Sequence, residues 1–399
     1  MALTRRSFLR ATGLGLAALA LPLQPARRAL GAGAERVLVV VFLRGGADGL
    51  TLVAPYGDPE YYALRPMLAV APSDLQPLTG LFGLHERLPE LGQLYASREL
   101  GVIHCVGSPD PTRSHFDAQD FLERAAPGDR SASEGWLNRT LALLGQQQPL
   151  AGVSLGIERE ASLEGSAPSL ALSSLDEFSL TGSYSPERRI ALESLYAGGP
   201  LKYLSGRVRD TLAVVDTIAS IPRATPVAYP STTFGQQLRD VAALIRADVG
   251  VRVAALSLPG WDHHDRLRAS IDPLMRDLSR SLAAFHLDLG TASSRVLTLV
   301  MTEFGRTVEE NGTWGADHGR ASVMLALGGG VVGGRVLLKN GRWPGLTPAA
   351  SGPRRDLDVT TDFRDVFAEV LVRHLGVSDP SPVLPGHAWS PAAHPGLYG

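Results

Sequence analysis

The sequence has one cysteine, Cys105, and this excludes a disulfide bond within the chain. Cys105 stands in the apolar run Leu100–Val106, where a free thiol is typical of a core residue. From residue 35 onward no apolar run reaches the ~18 residues that a membrane-spanning helix needs. Acidic and basic residues nearly balance, at a formal net charge of −2, so nucleic acid is not expected as a partner.

The first 34 residues have the pattern of an export signal. Arg5 and Arg6 form a twin-arginine pair, the apolar stretch Ala11–Leu23 follows, and a small-residue cleavage site ends at Ala34. We expect transport by the twin-arginine translocase, a mature chain from Glu35, no membrane anchor after cleavage, and a periplasmic or secreted location. Cleavage would remove five arginines and no acid, which leaves 33 basic and 40 acidic residues, a balance of −7.

Apolar runs alternate with amphipathic stretches along residues 35–399, and this predicts a single α/β domain. The predicted strands are Val37–Leu43, Gly101–Val106, Val251–Leu258, Val296–Met301 and Ser322–Leu327. The predicted helices are Arg87–Ser97, Phe116–Ala125, Phe234–Asp248, Asp265–Leu287 and Phe363–Leu375. We expect a three-layer αβα fold with a mostly parallel central sheet flanked by helices. The Ser-, Pro- and Gly-rich stretch of roughly 160–230 predicts a helical cap or insertion.

Polar residues cluster after the predicted strands, where open α/β sheets bind their ligands. Asp48 follows the first strand in a glycine-rich turn. It is interpreted either as a metal ligand or as part of an ordinary Asp-Gly turn. Asp262 and His264 follow the third strand, and on an extended segment their side chains point the same way. Glu303 follows the fourth strand. Asp317 comes a short loop later, so one chain segment can bring both acids to one ion.

Carboxylates and imidazoles from several segments are typical of a divalent metal site. The predicted ligands of one or two ions, Zn, Mn or Ca, are Asp48, Asp262, His264, Glu303, Asp317 and His318. Alternatively, Glu303 forms an ion pair with Arg306, and His318 is a loop histidine that binds no metal.

Ser114 precedes a predicted helix, where it is an N-cap and also a candidate nucleophile. The positive helix end and a nearby cation would lower the pKa of its hydroxyl. The predicted catalytic residues are Ser114, His115 and Arg306. The oxygens of the substrate could be gripped by Arg306 or by Arg44, Arg113 or Arg320. Ser154 lies in a Gly-x-Ser-x-Gly pattern but lacks the strand-turn-helix context of a nucleophile elbow.

The combined motifs resemble a bacterial family catalogued as domain of unknown function 1501, over essentially the whole mature chain. The segments that carry the resemblance are Leu43–Gly49, Ser108–Phe116, Gly260–His264, Thr302–Thr307 and Asp317–Arg320. Members carry twin-arginine signals, and the family looks like a branch of the alkaline-phosphatase/sulfatase superfamily. The resemblance implies an alkaline-phosphatase-like fold with metal ions at the strand ends.

By this resemblance, Asp48 matches the acid after the first strand, Ser114 the nucleophile, and Asp262 with His264 a ligand pair. Glu303 stands where the superfamily has Asp followed by His, and Phe304 replaces that His. The implied function is an exported, metal-dependent hydrolase of a small-molecule or polymer phosphate or sulfate ester. The alternative is a non-catalytic envelope protein on the same fold, with a structural metal or none, that binds a polymer or a partner.

Overall fold

The computed structural model describes residues 35–156, 158–178, 186–198, 203–346 and 356–399. The predicted export signal and parts of the predicted insertion lie outside these ranges. The strands of the described residues, β1 to β12, are Val37–Arg44, Val53–Ala54, Leu75–Pro77, Gly83–His85, Leu100–Gly107, Gly152–Leu155, Leu170–Leu172, Val253–Pro259, Val296–Met301, Ser322–Gly328, Val336–Leu337 and Thr361–Asp362.

The α-helices of the described residues, α1 to α10, are Gly49–Leu52, Pro59–Leu64, Pro89–Ala96, His115–Arg124, Trp136–Leu143, Pro186–Ala197, Ser205–Ser220, Thr233–Arg246, Leu267–Leu289 and Phe363–Glu369. A π-helical turn, Val370–His374, continues α10. Within the described ranges, none of the helices combines the length and the apolarity that crossing a membrane requires.

The central sheet has nine strands and is mostly parallel, as predicted. Its order is β11-β5-β10-β9-β1-β8-β6-β7, with β12 beside β5. Strands β8 and β9 pair in parallel with β1, whereas β10 runs antiparallel to both β5 and β9. A small antiparallel sheet, β2-β4-β3, stands apart from it.

Alternate residues of β1 pack into two different hydrophobic cores, one on each face of the sheet. Val39 and Val41 join the core that contains residues of α3, α8 and α9. Leu38 and Val40 join the core that contains residues of α5 and α10. Because both faces of the sheet are covered by helices, the strands are apolar throughout, and the three-layer αβα prediction is confirmed.

The direction of β10 explains why Asp317 and His318 precede a strand rather than follow one. Ser322, the first residue of β10, pairs with Val106 near the end of β5. An antiparallel strand begins at the edge where its neighbours end, so the loop before β10 lies at the carboxyl edge of the parallel strands. The loops after β1, β8 and β9 reach the same edge.

Two buried histidines should make the stability of the fold depend on pH. Burial lowers the pKa of His104 to about 4 and that of His374 to about 4. In the folded protein both rings stay neutral until about pH 4, whereas in the unfolded chain they bind a proton near pH 6.5. Their contribution is therefore complete above pH 6.5 and is lost as the pH falls toward 4. Between pH 7 and 4.5 the free energy of unfolding should drop by on the order of 5 kcal/mol.

Urea unfolding at several pH values measures this dependence. A His104→Gln, His374→Gln double variant removes both groups, and its unfolding free energy should fall less steeply between pH 6.5 and 4.5. The comparison uses the slope, because the substitutions also change stability at neutral pH. An identical slope in the two proteins would show that these histidines are not the cause.

Candidate metal centre

Three imidazole rings and one carboxylate converge at the carboxyl edge of the sheet. The Nε2 atom of His318 lies 3.0 Å from Nε2 of His115 and 2.8 Å from Nε2 of His264. Oδ1 of Asp262 lies 3.4 Å from Nε2 of His115, 3.2 Å from that of His264 and 3.5 Å from that of His318. We call these four residues the histidine cluster.

Three segments of the chain supply the four members of the histidine cluster. His115 is the first residue of α4, and Asp262 and His264 follow β8. His318 lies just before β10 and forms an isolated β-bridge with Arg306. Among the described residues, His115, Asp262 and His318 form the group whose ligand atoms lie within 4.8 Å of one another, as a metal ion requires.

Each imidazole is held through its second ring nitrogen. Nδ1 of His115 lies 2.7 Å from Oε1 of Glu303, and Nδ1 of His264 lies 2.8 Å from Oδ1 of Asp317. Nδ1 of His318 lies 2.7 Å from the carbonyl oxygen of Arg113. Since all three partners are acceptors, the hydrogen of each neutral ring is assigned to Nδ1. The Nε2 atoms of His115 and His264 then each lie within 3.0 Å of Nε2 of His318.

If all three rings are neutral with the hydrogen on Nδ1, the lone pairs 2.8 to 3.0 Å apart would repel each other unless a cation lay between them. This is the arrangement of metal-binding histidines, whose Nδ1 atoms donate to a carboxylate or to a backbone carbonyl. The residues present therefore fit a divalent metal ion.

Glu303 supports His115 and is not free to bind an ion through the same oxygen. Its Oε1 accepts hydrogen bonds from His115, from Gln119 at 2.9 Å and from the backbone N–H of Gly45 at 2.9 Å. Burial would raise the pKa of Glu303, but the bonds from His115 and Gln119 outweigh it and lower the pKa. Glu303, predicted as a ligand, thus lies behind the imidazole of His115, and Nε2 of His115, predicted as catalytic, faces the cluster.

Arg306 links neighbouring loops through buried hydrogen bonds, and this differs from the predicted contact with oxygens of a substrate. Its side chain is fully buried, and its guanidinium donates to the carbonyls of Gly46 at 2.8 Å, Ala316 at 3.1 Å and Gly45. It also donates to Oδ1 of Asp262 at 2.7 Å. Burial alone would raise the pKa of Asp262. The hydrogen bond and the charge of Arg306 outweigh this effect and lower the pKa to about 2. Asp262 is therefore anionic at neutral pH.

Asp317 lies behind His264 in the way that Glu303 lies behind His115. Its Oδ1 accepts from Nδ1 of His264 and, at 3.1 Å, from the side-chain amide of Asn311. The bond from His264 lowers the pKa of Asp317. Asp262, Glu303 and Asp317 are three carboxylates around the guanidinium of Arg306, and the hydrogen bond with Glu303 raises the pKa of His115. A divalent cation would add positive charge to this acidic group of side chains.

Asp48, predicted as a ligand, lies in a different contact. Both of its oxygens accept from Arg65, Oδ2 at 2.5 Å and Oδ1 at 3.0 Å, and Oδ2 also accepts from Thr51. Burial would raise the pKa of Asp48, but the charge of Arg65 outweighs it and lowers the pKa. Asp48 thus forms a buried ion pair with Arg65 and is not one of the four residues of the histidine cluster.

Ser114 is the N-cap of α4, and its Oγ accepts from the backbone N–H of Asp117 at 3.4 Å. It stands between Arg113, whose carbonyl oxygen contacts His318, and His115, which is a member of the cluster. Ser154 is buried within β6, and its Oγ accepts from the backbone N–H of Glu160, which explains why the Gly-x-Ser-x-Gly pattern has no exposed nucleophile.

Sequence reasoning missed the supporting residues Gln119 and Asn311. Gln119 stands four residues after His115 on α4, so both side chains lie on one helix face and reach Glu303. That spacing is visible in the sequence and could have identified Gln119. Asn311 lies in a loop whose course only the structure shows.

Comparison with curated proteins found no match. Distant structural likenesses include the C-terminal periplasmic domain of EcEptC from Escherichia coli in complex with Zn, at 12% identity and a TM-score of 0.41, covering 92% of this chain and 91% of that one. Another is the PsFucS1 sulfatase from Pseudoalteromonas sp., at 13% identity and a TM-score of 0.44, covering 91% and 72%.

A third is the TAB5 alkaline phosphatase mutant His 135 Glu with Mg bound in the M3 site, at 13% identity and a TM-score of 0.32, covering 74% of this chain and 92% of that one. Because these likenesses are distant, we base the function on the histidine cluster itself. The sequence of residues 89–379, well over half of the chain, matches a family profile. The chain belongs to the family described as protein of unknown function (DUF1501).

Proposed function

We propose that the histidine cluster holds one divalent metal ion and that the protein is an exported, metal-dependent hydrolase of phosphate or sulfate esters. The observation that carries the proposal is the close approach of Nε2 of His115, Nε2 of His318 and Oδ1 of Asp262 to one another, with His264 beside them. The N-terminal signal pattern supports export by the twin-arginine route to the periplasm or the medium.

The donor set favours zinc among the metals considered. Imidazole nitrogens with one carboxylate are typical zinc ligands, whereas calcium takes six to eight oxygens. Asp48 and Glu303 are occupied by Arg65 and by His115, and this favours one ion over two. A cation held there supplies Lewis acidity toward an ester oxygen.

The residues around the cluster can do the remaining work of hydrolysis. Ser114, at the start of α4, is the candidate nucleophile, because the helix N-terminus stabilises developing negative charge. His264 is 44% exposed and is paired with Asp317, so it can hold or deliver a proton on the solvent side. His115, Asp262 and His318 would then be the protein ligands, and three ligands leave a coordination position open for substrate.

One observation favours the second candidate, a binding protein with a structural metal. Nε2 of His318 lies 2.8 Å from Nε2 of His264 and 3.0 Å from Nε2 of His115. His264 could therefore serve as a fourth ligand. Four protein ligands close a tetrahedral zinc site, as in structural sites. His264→Ala separates the candidates. In the hydrolase it keeps the metal and loses turnover, and in the binding protein it loses the metal.

Hydrolysis of p-nitrophenyl phosphate and p-nitrophenyl sulfate by zinc-supplemented protein tests the proposed function. A Ser114→Ala variant should lose at least about 10³-fold in kcat if its hydroxyl is the nucleophile. Thr232→Ala is the matched control, because Thr232 caps α8 in the same way, accepting from Gly235 N–H at 3.1 Å. It should cost about 1 kcal/mol of stability and no turnover.

Equal turnover by wild type and Ser114→Ala would reduce Ser114 to an N-cap and leave water as the nucleophile. If neither ester is hydrolysed by zinc-bound protein, nor any other phosphate or sulfate ester in a wider panel, the hydrolase proposal fails.

A further inference from the structure

Arg44, the last residue of β1, is bound to side chains of the protein through each of its three guanidinium nitrogens. Its Nε donates to Oγ of Ser257 at 2.7 Å. Nη1 lies 3.0 Å from a carboxylate oxygen of Glu123, and Nη2 forms an ion pair with Glu160. These contacts hold the guanidinium inside the protein, which differs from the predicted contact of Arg44 with oxygens of a substrate.

Gln119 connects Arg44 to Glu303. Nη1 of Arg44 donates to Oε1 of Gln119 at 2.9 Å, and Nε2 of Gln119 donates to Oε1 of Glu303 at 2.9 Å. An arginine can only donate hydrogen bonds, so the amide oxygen of Gln119 must face Arg44. This assigns the amide nitrogen to the side of Glu303. Arg44 therefore determines which end of the amide group Glu303 meets.

The orientation of the Gln119 amide affects His115 through a shared oxygen. Oε1 of Glu303 accepts from Gln119 and lies 2.7 Å from Nδ1 of His115, while Oε2 accepts from Oγ1 of Thr302 at 3.1 Å. A reversed amide would place its oxygen against this carboxylate and repel it. With the carboxylate held in place, the hydrogen of the neutral His115 ring stays on Nδ1, and Nε2 faces the histidine cluster.

We propose that Arg44 and Gln119 are positioning residues of the metal centre. Arg44 orients Gln119, Gln119 holds Glu303, and Glu303 holds the His115 ring with its Nε2 toward the ion. The inference rests on the proposed metal site, and it extends that site to Arg44, whose side chain acts on His115 through two others.

Zinc affinity, measured by competition with a chelator of known affinity, tests this series of hydrogen bonds in the purified protein. Gln119→Met keeps a side chain of similar length but cannot donate to Glu303, and it should lower zinc affinity about tenfold. Glu160→Gln is the matched control. Glu160 contacts Nη2 of Arg44, whereas Gln119 contacts Nη1, so this variant changes the other side of the guanidinium and should bind zinc as wild type does.

A double-mutant cycle tests whether Arg44 acts through Gln119. Arg44→Met alone would leave Glu123 and Glu160 without their partner, so the cycle is made in a Glu123→Gln, Glu160→Gln background. There, Arg44→Met should also lower zinc affinity, and adding Gln119→Met should lower it no further than the weaker single variant. Two independent losses that multiply would contradict the proposed series.

Nitrogen-15 NMR of the His115 ring gives a readout that needs neither metal nor turnover and that a merely structural role of Gln119 would not change. In metal-free wild type, at a pH where the ring is neutral, Nδ1 should carry the hydrogen, and Gln119→Met should raise the share of the other tautomer. If wild type binds no zinc but the tautomer responds, the metal proposal fails and the orientation of His115 by Gln119 stands. If the tautomer is the same in both proteins, or if zinc binds both equally tightly, the inference is wrong.

Discussion

Zinc is expected to raise the free energy of unfolding of the wild-type protein and to leave a His318→Ala variant unchanged. A ligand that binds only the folded state stabilises it by about 4 kcal/mol at a concentration 1,000 times its dissociation constant. His318 contacts every other member of the histidine cluster, at 3.0 Å to His115, 2.8 Å to His264 and 3.5 Å to Asp262. Its removal therefore takes away the ligand on which the whole set depends. Denaturant unfolding with and without zinc measures the difference.

His286→Ala is the matched control for this experiment. His286 lies toward the far end of α9, where its Nε2 is 3.3 Å from a carboxylate oxygen of Glu99. Zinc should stabilise this variant as much as wild type. If zinc stabilises His318→Ala to the same extent as wild type, the ion binds elsewhere and the cluster is not the site.

A Glu303→Gln variant should give an intermediate result. Glutamine keeps an oxygen that can accept from Nδ1 of His115, but it loses the negative charge that makes this imidazole a stronger ligand. We expect zinc affinity to fall by about 10- to 100-fold while the fold is kept. Competition with a chelator of known affinity measures the change. An unchanged affinity would show that Glu303 has no influence on the site.

Asp48→Ala is expected to lower the free energy of unfolding by about 3–5 kcal/mol. Asp48 and Arg65 are both buried, and the guanidinium also donates to the carbonyls of Val308 at 2.8 Å and Thr307 at 2.6 Å. Removing the carboxylate leaves the charge of Arg65 buried without its partner, which is the costly half of a broken ion pair. Chemical denaturation measures the loss.

An Asp48→Leu, Arg65→Met double variant is the control. Replacing both charges by apolar side chains removes the unpaired charge, so most of the lost stability should return. The double variant should also keep its zinc, because Asp48 is not a ligand in this account. If the double variant is as unstable as Asp48→Ala, pairing of the charges is not what matters at this position. If it is stable but lacks zinc, Asp48 contributes to the metal site.

The sheet and the position of the site could be predicted because both follow from local patterns. Strands buried on both faces are continuous apolar runs, so β1, β5, β8, β9 and β10 were visible in the sequence to within about two residues. Polar residues directly after such strands meet at the carboxyl edge, which predicted that Asp262, His264 and Glu303 would come together.

The sequence could not predict which residues face the histidine cluster and which support them, because this depends on contacts between side chains that are distant in the sequence. Glu303 and His115 were both recognised, but the choice of ligand and supporting residue requires the 2.7 Å contact between them. Asp48 and Arg65 lie 17 residues apart in the sequence, and nothing local shows that one neutralises the other. Arg306 looks available in the sequence, yet its guanidinium is fully used by backbone carbonyls and Asp262.

The central claim is that His115, Asp262 and His318 hold a metal ion. The most direct measurement is elemental analysis of the purified mature protein beside an Asp262→Ala, His318→Ala double variant, both prepared with zinc supplied. We expect about one equivalent of divalent metal in the wild type and almost none in the double variant. Wild-type protein that stays free of metal after reconstitution, or a double variant that keeps the same equivalent, would contradict it.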